Sequence, residues 1–501
     1  MKMIQRPVIV GVGQFTNRSY DASGIKEPLE MIEIAIKEAE KDTGVAALSK
    51  KIDSLSVVNI LSASYPNPPQ MLADRIGAHP PTLSYTWVGA TAPQWLINRA
   101  AEKIAKGFCR LALVCGGEAF HSRRLASKMG KRKAWNWEFP EKSPAMVGDL
   151  RDPLTPLELR YGMVLPIHIY PLFENALRYQ EGLSLDKHRK ELGDFCSKLS
   201  KIAGENSYSW CRETQETDDI ISPSSRNRMI CYPYTKSMCS IMEVDQAAAL
   251  FLTDEETARG LGIPHEKWVY LLGFGDASDI WHVSERIDFH SSPSVKVAAQ
   301  MAMEQAGVLM DEIEYLDLYS CFPCAPRITR NMLGLSKDDP RSLTLTGGMP
   351  YFGGPGNNYA LHAICRMVEV LRHNPLKFGM VQALSWFISK HSIGIYSGMP
   401  PKGQWGLIDP GPYQEALQKL SGPQIVEEAI GKASVETYTV VHNREGNPIS
   451  SIIIGRLGDG RRFLARAEGD EEVLREMTTK ELIGETGRVR NQKGENVFIF
   501  S

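Results

Sequence analysis

The sequence predicts a duplicated α/β protein, two mixed sheets with helices in layers, followed by a small antiparallel β-barrel. Three observations carry that expectation. One helix–strand order occurs twice along the chain, its strands are near-continuous apolar runs of the kind covered on both faces, and residues 403–501 switch to short alternating strands bounded by turns.

Each element follows from its local pattern. Val8-Ile-Val-Gly-Val-Gly13 opens the chain as a β-branched strand. Glu30 to Gly44 is an amphipathic helix with Ile32, Ala35, Ile36 and Ala39 at helical spacing, and the strand Ile52 to Val58 follows its Gly44-Val45 stop. Pro93 to Lys106 is helical and Arg110 to Val114 is an apolar strand. The same order returns later: a helix from Ser294 to Gly307 with Val297, Ala298, Met301 and Ala302, then the strand Ile313 to Leu318. A helix from Asn358 to Arg372 and the strand Phe378 to Leu384 complete the second copy. Between about 121 and 235 the pattern is irregular and rich in Pro, Trp and Tyr, with helices predicted over Pro166–Arg178 and Lys187–Ser209; it reads as an insertion. Ser240 to Thr253 is predicted as the last strand of the first half. The expected units are residues 1–260 with that insertion, 261–402, and 403–501 beyond a Pro- and Gly-rich boundary at Pro400–Gly411. In the last unit, Val435–His442, Ile449–Gly455, Arg462–Arg466 and Val497–Phe500 are the strands, with turns at Asn443–Pro448 and Gly458–Gly460.

Composition narrows the function. The 501 residues carry 57 Lys plus Arg against 59 Asp plus Glu, so no overall field favours nucleic acid or an acidic membrane surface. With 43% hydrophobic and 23% charged residues the balance is that of a globular chain with a large core. The nine cysteines, an odd number spread along the whole length, point to reduced thiols rather than a disulfide framework, hence to the cytoplasm. No apolar run reaches the roughly 20 residues needed to span a bilayer, and the start lacks the apolar core of a signal peptide.

Four strings occur in a meaningful order: Val8–Gly13, Leu113-Val-Cys-Gly-Gly-Glu-Ala119, Asp317-Leu-Tyr-Ser-Cys-Phe322, and Gly348-Met-Pro-Tyr-Phe-Gly-Gly-Pro355. Together with the duplication they resemble the thiolase superfamily over residues 5 to 400. The nearest likeness is to sterol-carrier-type thiolases and to thiolase-like proteins with an additional C-terminal β-barrel. In that family a thiolate attacks a CoA thioester, a histidine lowers the thiol pKa, and preorganised donors hold the oxyanion. This chain departs from the pattern at each part. The segment Tyr85-Thr-Trp-Val-Gly-Ala-Thr-Ala-Pro93 holds no cysteine, Gly89 and Ala90 standing nearest the nucleophile's place. Gly354, within Gly353-Gly354-Pro355, stands where the family has histidine; Tyr319 replaces its oxyanion-loop histidine or asparagine, and Ser385 lies where its last cysteine is expected.

Several residues then compete for roles. Tyr319, at the carboxyl end of a predicted strand, could donate to a thioester carbonyl or simply pack there. Cys321 and Cys324 form a Cys-x-x-Cys without a second such pair, so no metal site is expected. Their two readings are a reactive thiol, Cys321 first and Cys324 second, and a pair of buried structural cysteines. His391, at the turn into the last strand of the second half, is either a relocated general base or a structural histidine. The loop Gly347–Asn358 precedes a helix and is a candidate pocket wall, although no nucleotide fingerprint occurs in it. Arg124, Lys133 and Trp135, within a run of cations and aromatics, are a candidate CoA-binding patch or an exposed basic loop.

The resemblance implies a thiolase-like acyl-CoA acyltransferase, related to acetyl-CoA acetyltransferases of lipid metabolism, with Tyr319, Cys321 and His391 as catalytic candidates. Gly89, Ala90, Gly353, Gly354, Pro355 and Ser385 would shape its pocket. Cysteine-dependent thiolysis is not expected of it. The alternative is a non-catalytic subunit that binds a CoA thioester or completes a thiolase-type complex. Coenzyme A enters as substrate or ligand, with no bound cofactor. Assembly is expected as a homodimer or with a protein partner through the C-terminal barrel.

Overall fold

The computed structural model describes residues 5–130, 143–403 and 405–501. Its first half contains β1 (Pro7–Thr16), α1 (Pro28–Thr43), β2 (Ser54–Val57), α2 (Pro68–Ile76), β3 (Thr82–Thr86), α3 (Ala92–Ala105) and β4 (Leu111–Ala119). The insertion follows with α4 (Phe120–Lys128), β5 (Met146–Val147), α5 (Pro156–Arg160), α6 (Pro166–Gln180), α7 (Leu185–Glu205), α8 (Thr217–Ile221), β6 (Met229–Cys231) and β7 (Tyr234–Thr235). Next come β8 (Asp245–Asp254), α9 (Glu255–Gly260) and β9 (Val269–Ser278), then α10 (Pro293–Ala306), β10 (Ile313–Leu318), α11 (Cys324–Met332), α12 (Tyr359–His373), β11 (Phe378–Ser385) and β12 (Lys390–Ser397). The tail has α13 (Gly411–Gln418), β13 (Gly431–His442), β14 (Pro448–Leu457), β15 (Arg462–Ala467), α14 (Glu471–Glu476), β16 (Thr486–Gln492) and β17 (Glu495–Phe500).

The duplication is visible in the pairing. In the first half β1 and β8 run antiparallel, as do β8 and β4, while β4 and β2 are parallel. In the second half β9–β12, β12–β11 and β11–β10 repeat those three relations. Short antiparallel pairing of Val8 and Ile9 with Tyr270 and Val269 joins β1 to β9, so the two expected sheets meet edge to edge in one ten-stranded sheet.

The repeat extends to single residues. Gly11 and Gly13 are the fifth and seventh residues of β1, and Gly273 and Gly275 hold the same places in β9. A Cβ on Gly13 would stand 2.2 Å from the Ala35 carbonyl oxygen of α1, and one on Gly275 would stand 2.0 Å from that of Ala298 in α10. In both halves the helix lies so close to its strand that only glycine leaves room.

Helices α1 and α10 share one core on one face of the sheet, and α3 and α12 share another with strands of both halves. The helices also hold the halves together: Tyr396 of β12 donates to Gln94 of α3 (2.8 Å), and Asn358 before α12 donates to the Gly116 carbonyl of β4 (2.8 Å). Among the described residues no helix is long and apolar enough to cross a membrane.

In the tail β13, β14, β15, β17 and β16 close into a five-stranded barrel, and β6–β7 of the insertion adds to its edge through Cys231 opposite Val441. The barrel is seated rather than tethered. Ile452, Ile454 and Leu464 belong to the same core as Tyr170, Phe173 and Tyr319. Arg462, fully buried, pairs with Glu436 (2.6 Å) and donates to the carbonyls of Ser284 (2.7 Å), Arg286 and Ile287 (3.2 Å) in the second half.

Candidate functional site

The N-terminus of α3 lies where the two halves meet. The backbone N–H of Thr91 donates to Ser385 Oγ at the end of β11 (2.7 Å), and the Thr91 and Ser385 hydroxyls share a hydrogen bond of 2.9 Å. Gly89 N–H donates to Asn357 Oδ1 (3.0 Å), whose amide in turn donates to the Asn59 carbonyl (3.1 Å). Thr91 and Ser385 are both buried. The Gly89, Thr91 and Ala92 N–H groups are thus engaged, and one hydroxyl proton of the Thr91–Ser385 pair is left to meet a carbonyl oxygen beside the helix start. Ala90 beside them packs against the core that holds Tyr319, Cys321, Met349 and Leu384. A small hollow next to Gly89 is bordered by Trp87, Trp95, Asp149 and Lys390. Burial lowers the Lys390 ammonium from its ordinary value while Asp149, 3.9 Å away, works against that.

His391 belongs to a separate chain of hydrogen bonds. Tyr319 N–H donates to Gln382 Oε1 (2.9 Å), which fixes the amide so that Gln382 Nε2 donates to His391 Nδ1 (2.9 Å). The proton of the imidazole is thereby on Nε2, facing Ser292 Oγ (3.0 Å) and the Ile388 carbonyl (3.4 Å). Ser292 passes the chain on to Asp279, which pairs with Arg286 (3.3 Å). Burial first, with Arg286 adding to it, holds the His391 pKa down to about 4. Both ring nitrogens are engaged, which favours the structural of the two readings of His391 over the general base.

For Cys321 and Cys324 the surroundings favour the buried structural reading of the two. Cys321 and Cys324 lie in the aromatic core formed by Tyr170, Phe322 and Tyr234, with Tyr170 stacked on Phe322 at 4.6 Å between ring centroids. Burial pushes the Cys321 thiol up to about 12 and raises Cys324 well above the ordinary thiol value. Such thiols stay protonated near neutral pH, and only thiolates are good nucleophiles. Cys324 donates weakly to the Tyr170 carbonyl (3.6 Å). Tyr319 is 5% exposed, stands edge-on to Tyr359 at 5.5 Å, and has its hydroxyl pKa raised far above the usual phenol by burial. It remains a proton donor only.

The glycine loop is fixed from below. Asp317 at the end of β10 accepts from the N–H groups of Leu345 (2.8 Å) and Thr346 (3.1 Å) and from both threonine hydroxyls, and burial raises its carboxyl to about 6. Further along, Gly353 has φ +110°, and Gly354 N–H donates to the Ile241 carbonyl (2.8 Å). A Cβ at Gly354 would lie 2.2 Å from Ser240 Oγ and 3.0 Å from Met349 Cε, so a side chain here requires those two side-chain ends to swing aside. Pro355 is buried and its carbonyl accepts from Asn358 N–H (2.8 Å), which turns the loop into α12. Glu118, buried beside Gly356, accepts from the N–H groups of Leu61 and Ser62 (both 2.8 Å), and burial lifts its carboxyl to about 7.

The predicted residues thus separate into three groups. Gly89 and Ser385 come together, with Ala90 adjacent; Tyr319 and His391 are linked through Gln382; Cys321 and Cys324 face a hydrophobic core. Arg124 is paired with Glu243 on the surface, and Lys133 and Trp135 lie outside the described residues. Sequence reasoning passed over Thr91, Asn357, Gln382 and Lys390. Thr91, Asn357 and Lys390 were next to or within the strings singled out, whereas Gln382 is brought in by strand register.

A duplicated α/β core with a helix N-terminus at the junction of its halves, plus a fused β-barrel, defines a thiolase-like protein. Residues 412–494 match the family described as the thiolase-like protein type 1 additional C-terminal domain. The whole chain is similar to a monomeric SCP2-thiolase like protein type 1 from Mycobacterium smegmatis, at 32% identity and TM-score 0.85, over 99% of this chain and 100% of that one. The chain belongs to the SCP2-thiolase-like protein type 1 family. Its fold is also similar to the Ltp2-ChsH2(DUF35) aldolase, at 16% identity and TM-score 0.61 over 80% of this chain and 100% of that one. An acetyl-CoA acetyltransferase from Syntrophomonas wolfei matches at 16% identity and TM-score 0.55, over 79% of this chain and 100% of that one.

Proposed function

We propose that this protein binds a CoA thioester with its carbonyl at the N-terminus of α3 and does not perform cysteine-dependent thiolysis. The observation that carries this is the Thr91–Ser385 hydroxyl pair at the helix start, in the place where the family resemblance puts a nucleophilic thiol. The helix dipole and the hydroxyl proton of that pair not used between Thr91 and Ser385 are suited to hold the thioester oxygen. No thiolate or free imidazole among the described candidates stands ready to attack it. The protein acts as a monomer in this reading, as its relative is described as monomeric.

The test combines binding with turnover. Acetyl-CoA and acetoacetyl-CoA are titrated calorimetrically, and the same mixtures, with free CoA added, are followed by mass spectrometry. Saturable binding that Ser385→Ala weakens about tenfold, without acyl adduct or cleaved product, is the expected result. Absence of binding across short and long acyl-CoAs sinks the proposal, and turnover by the lone chain converts the reading to that of an acyltransferase with relocated chemistry.

A further inference from the structure

The C-terminal end of α3, remote in the helix from the candidate site, carries a set of groups that nothing in the reading above uses. Here the face of β2 and β3 opposite α1 and α2 is floored by Ser54, Ser56 and Ser84 and flanked by α3. Two hollows open on it, of about 310 and 230 Å³, and Ser54, Lys103, Phe108 and Cys109 border both. Phe108 is 80% exposed, an apolar ring held up in water between the two hollows. The turn that closes α3 places it there: Phe108 N–H donates to the Lys103 carbonyl (2.8 Å) and Gly107 N–H to that of Ile104 (2.9 Å).

Around the ring stand Lys103, Lys106 and Arg110, all exposed. The nearby anions are engaged elsewhere. Glu102 pairs with Arg99 (2.9 Å), and Asp53 Oδ2 accepts the backbone N–H groups of Arg110 (2.8 Å) and Leu111 (3.1 Å). Cations at a helix C-terminus complement its dipole, which accounts for the lysines by themselves. It does not account for an exposed aromatic ring between two hollows, nor for a sheet face of hydroxyls where an uncovered face would otherwise be sealed with apolar residues.

We infer that this groove is a binding site for a small nucleoside phosphate. Its base would stack on Phe108, its phosphates would lie against Lys103, Lys106 and Arg110, and its sugar would meet the serine floor. The combined volume is within the range of small-molecule sites. The larger hollow also has apolar walls from Trp95, Leu96, Ala112 and Val147, which suit a base and its ring stack, while a nucleic-acid polymer is disfavoured by a chain whose formal net charge is −2. The inference does not rest on the acyl-CoA reading, since the groove lies at the other end of α3.

Calorimetry with the full chain tests it, using ADP, pyrophosphate and adenosine as separate probes at low salt. ADP is expected to bind more tightly than either fragment. Phe108→Ala should weaken ADP about fivefold and leave pyrophosphate nearly unchanged, whereas Lys103→Gln/Lys106→Gln should weaken both about tenfold. The dependence of ADP binding on Phe108 and on the two lysines is what separates this site from the α3 N-terminus. All the substituted groove residues are exposed, and circular dichroism confirms the fold. Equal affinity for ADP and pyrophosphate reduces the site to a basic patch and overturns the inference. So does ADP binding that ignores both variants, absence of any heat, or a concentration-dependent dimer that Phe108→Ala dissociates.

Discussion

At Gly354 an added side chain would meet two movable neighbours. The ideal Cβ direction runs into Ser240 Oγ at 2.2 Å and Met349 Cε at 3.0 Å. Gly354→Ala, measured by urea denaturation, is expected to destabilise the protein by about 1 kcal/mol, the low end for overpacking, because Ser240 Oγ and Met349 Cε can swing aside. Adding Ser240→Ala removes the nearest atom and should restore a large part of the loss; no restoration would place the strain elsewhere in the loop. His391 offers a second test. Free imidazole titrates near 6.5, and in the folded chain His391 is held down to about 4. Between those values the unfolded chain takes up a proton that the folded chain refuses. The stabilisation is therefore complete above about pH 6.5 and is lost as pH falls toward 4, by on the order of 3 kcal/mol. Glu118, raised to about 7, acts in the opposite sense over part of the window, so the comparison is between His391→Gln and its parent. The variant should show a shallower loss of stability between pH 6.5 and 4. Parallel curves would mean that His391 carries a proton when folded.

Among the elements, the helices and strands of the duplicated core were legible because each writes its own signal: period 3.6 closed by glycine, then a continuous apolar run. Their ends agree with expectation to within a few residues in α1, α10 and α12. β8 begins at Asp245 instead of Ser240, because Ile241 and its neighbours bond to the glycine loop and not to a strand. The site was less legible. Motif order led to the end of β11 and to the glycine loop, but Gln382 acts through partners that only sheet register supplies. For Cys321 and Cys324 the string left a reactive and a buried structural reading open; Tyr170 of α6 and Tyr234 of β7, far away in sequence, help to bury them. The barrel's attachment is likewise invisible in sequence, since Arg462 looks like any strand arginine. Arg462→Met leaves the carbonyls of Ser284, Arg286 and Ile287 without their donor and frees Glu436 from one of its two arginines. The expected cost is about 3 kcal/mol, read from the denaturation midpoint. A change within about 0.5 kcal/mol would show that the pair is merely tolerated.

For the molecule as a whole, the barrel and the insertion complete each other. Thr437 donates to the Leu172 carbonyl (2.6 Å), Asn175 to that of Tyr438 (2.8 Å), and the Tyr161 hydroxyl accepts from Asn496 N–H (2.7 Å). A chain cut before α13 should therefore expose the Tyr170–Phe173 face. It is expected to bind a hydrophobic dye and to aggregate on size-exclusion chromatography, whereas a freely tethered module would leave a soluble, compact remainder.

The shared core also has a consequence in time. Phe173 and Tyr170 are made long before Ile452, Ile454 and Leu464, yet all five fill one interior. During synthesis the first half can pair its own strands early, but the face of α6 stays uncovered until residues near 464 have emerged. Contacts of such long sequence separation are slow to close, and an apolar face left waiting invites association with other nascent chains. The last step of folding should thus be the seating of the barrel, and the interval before it the period in which this protein most depends on being shielded.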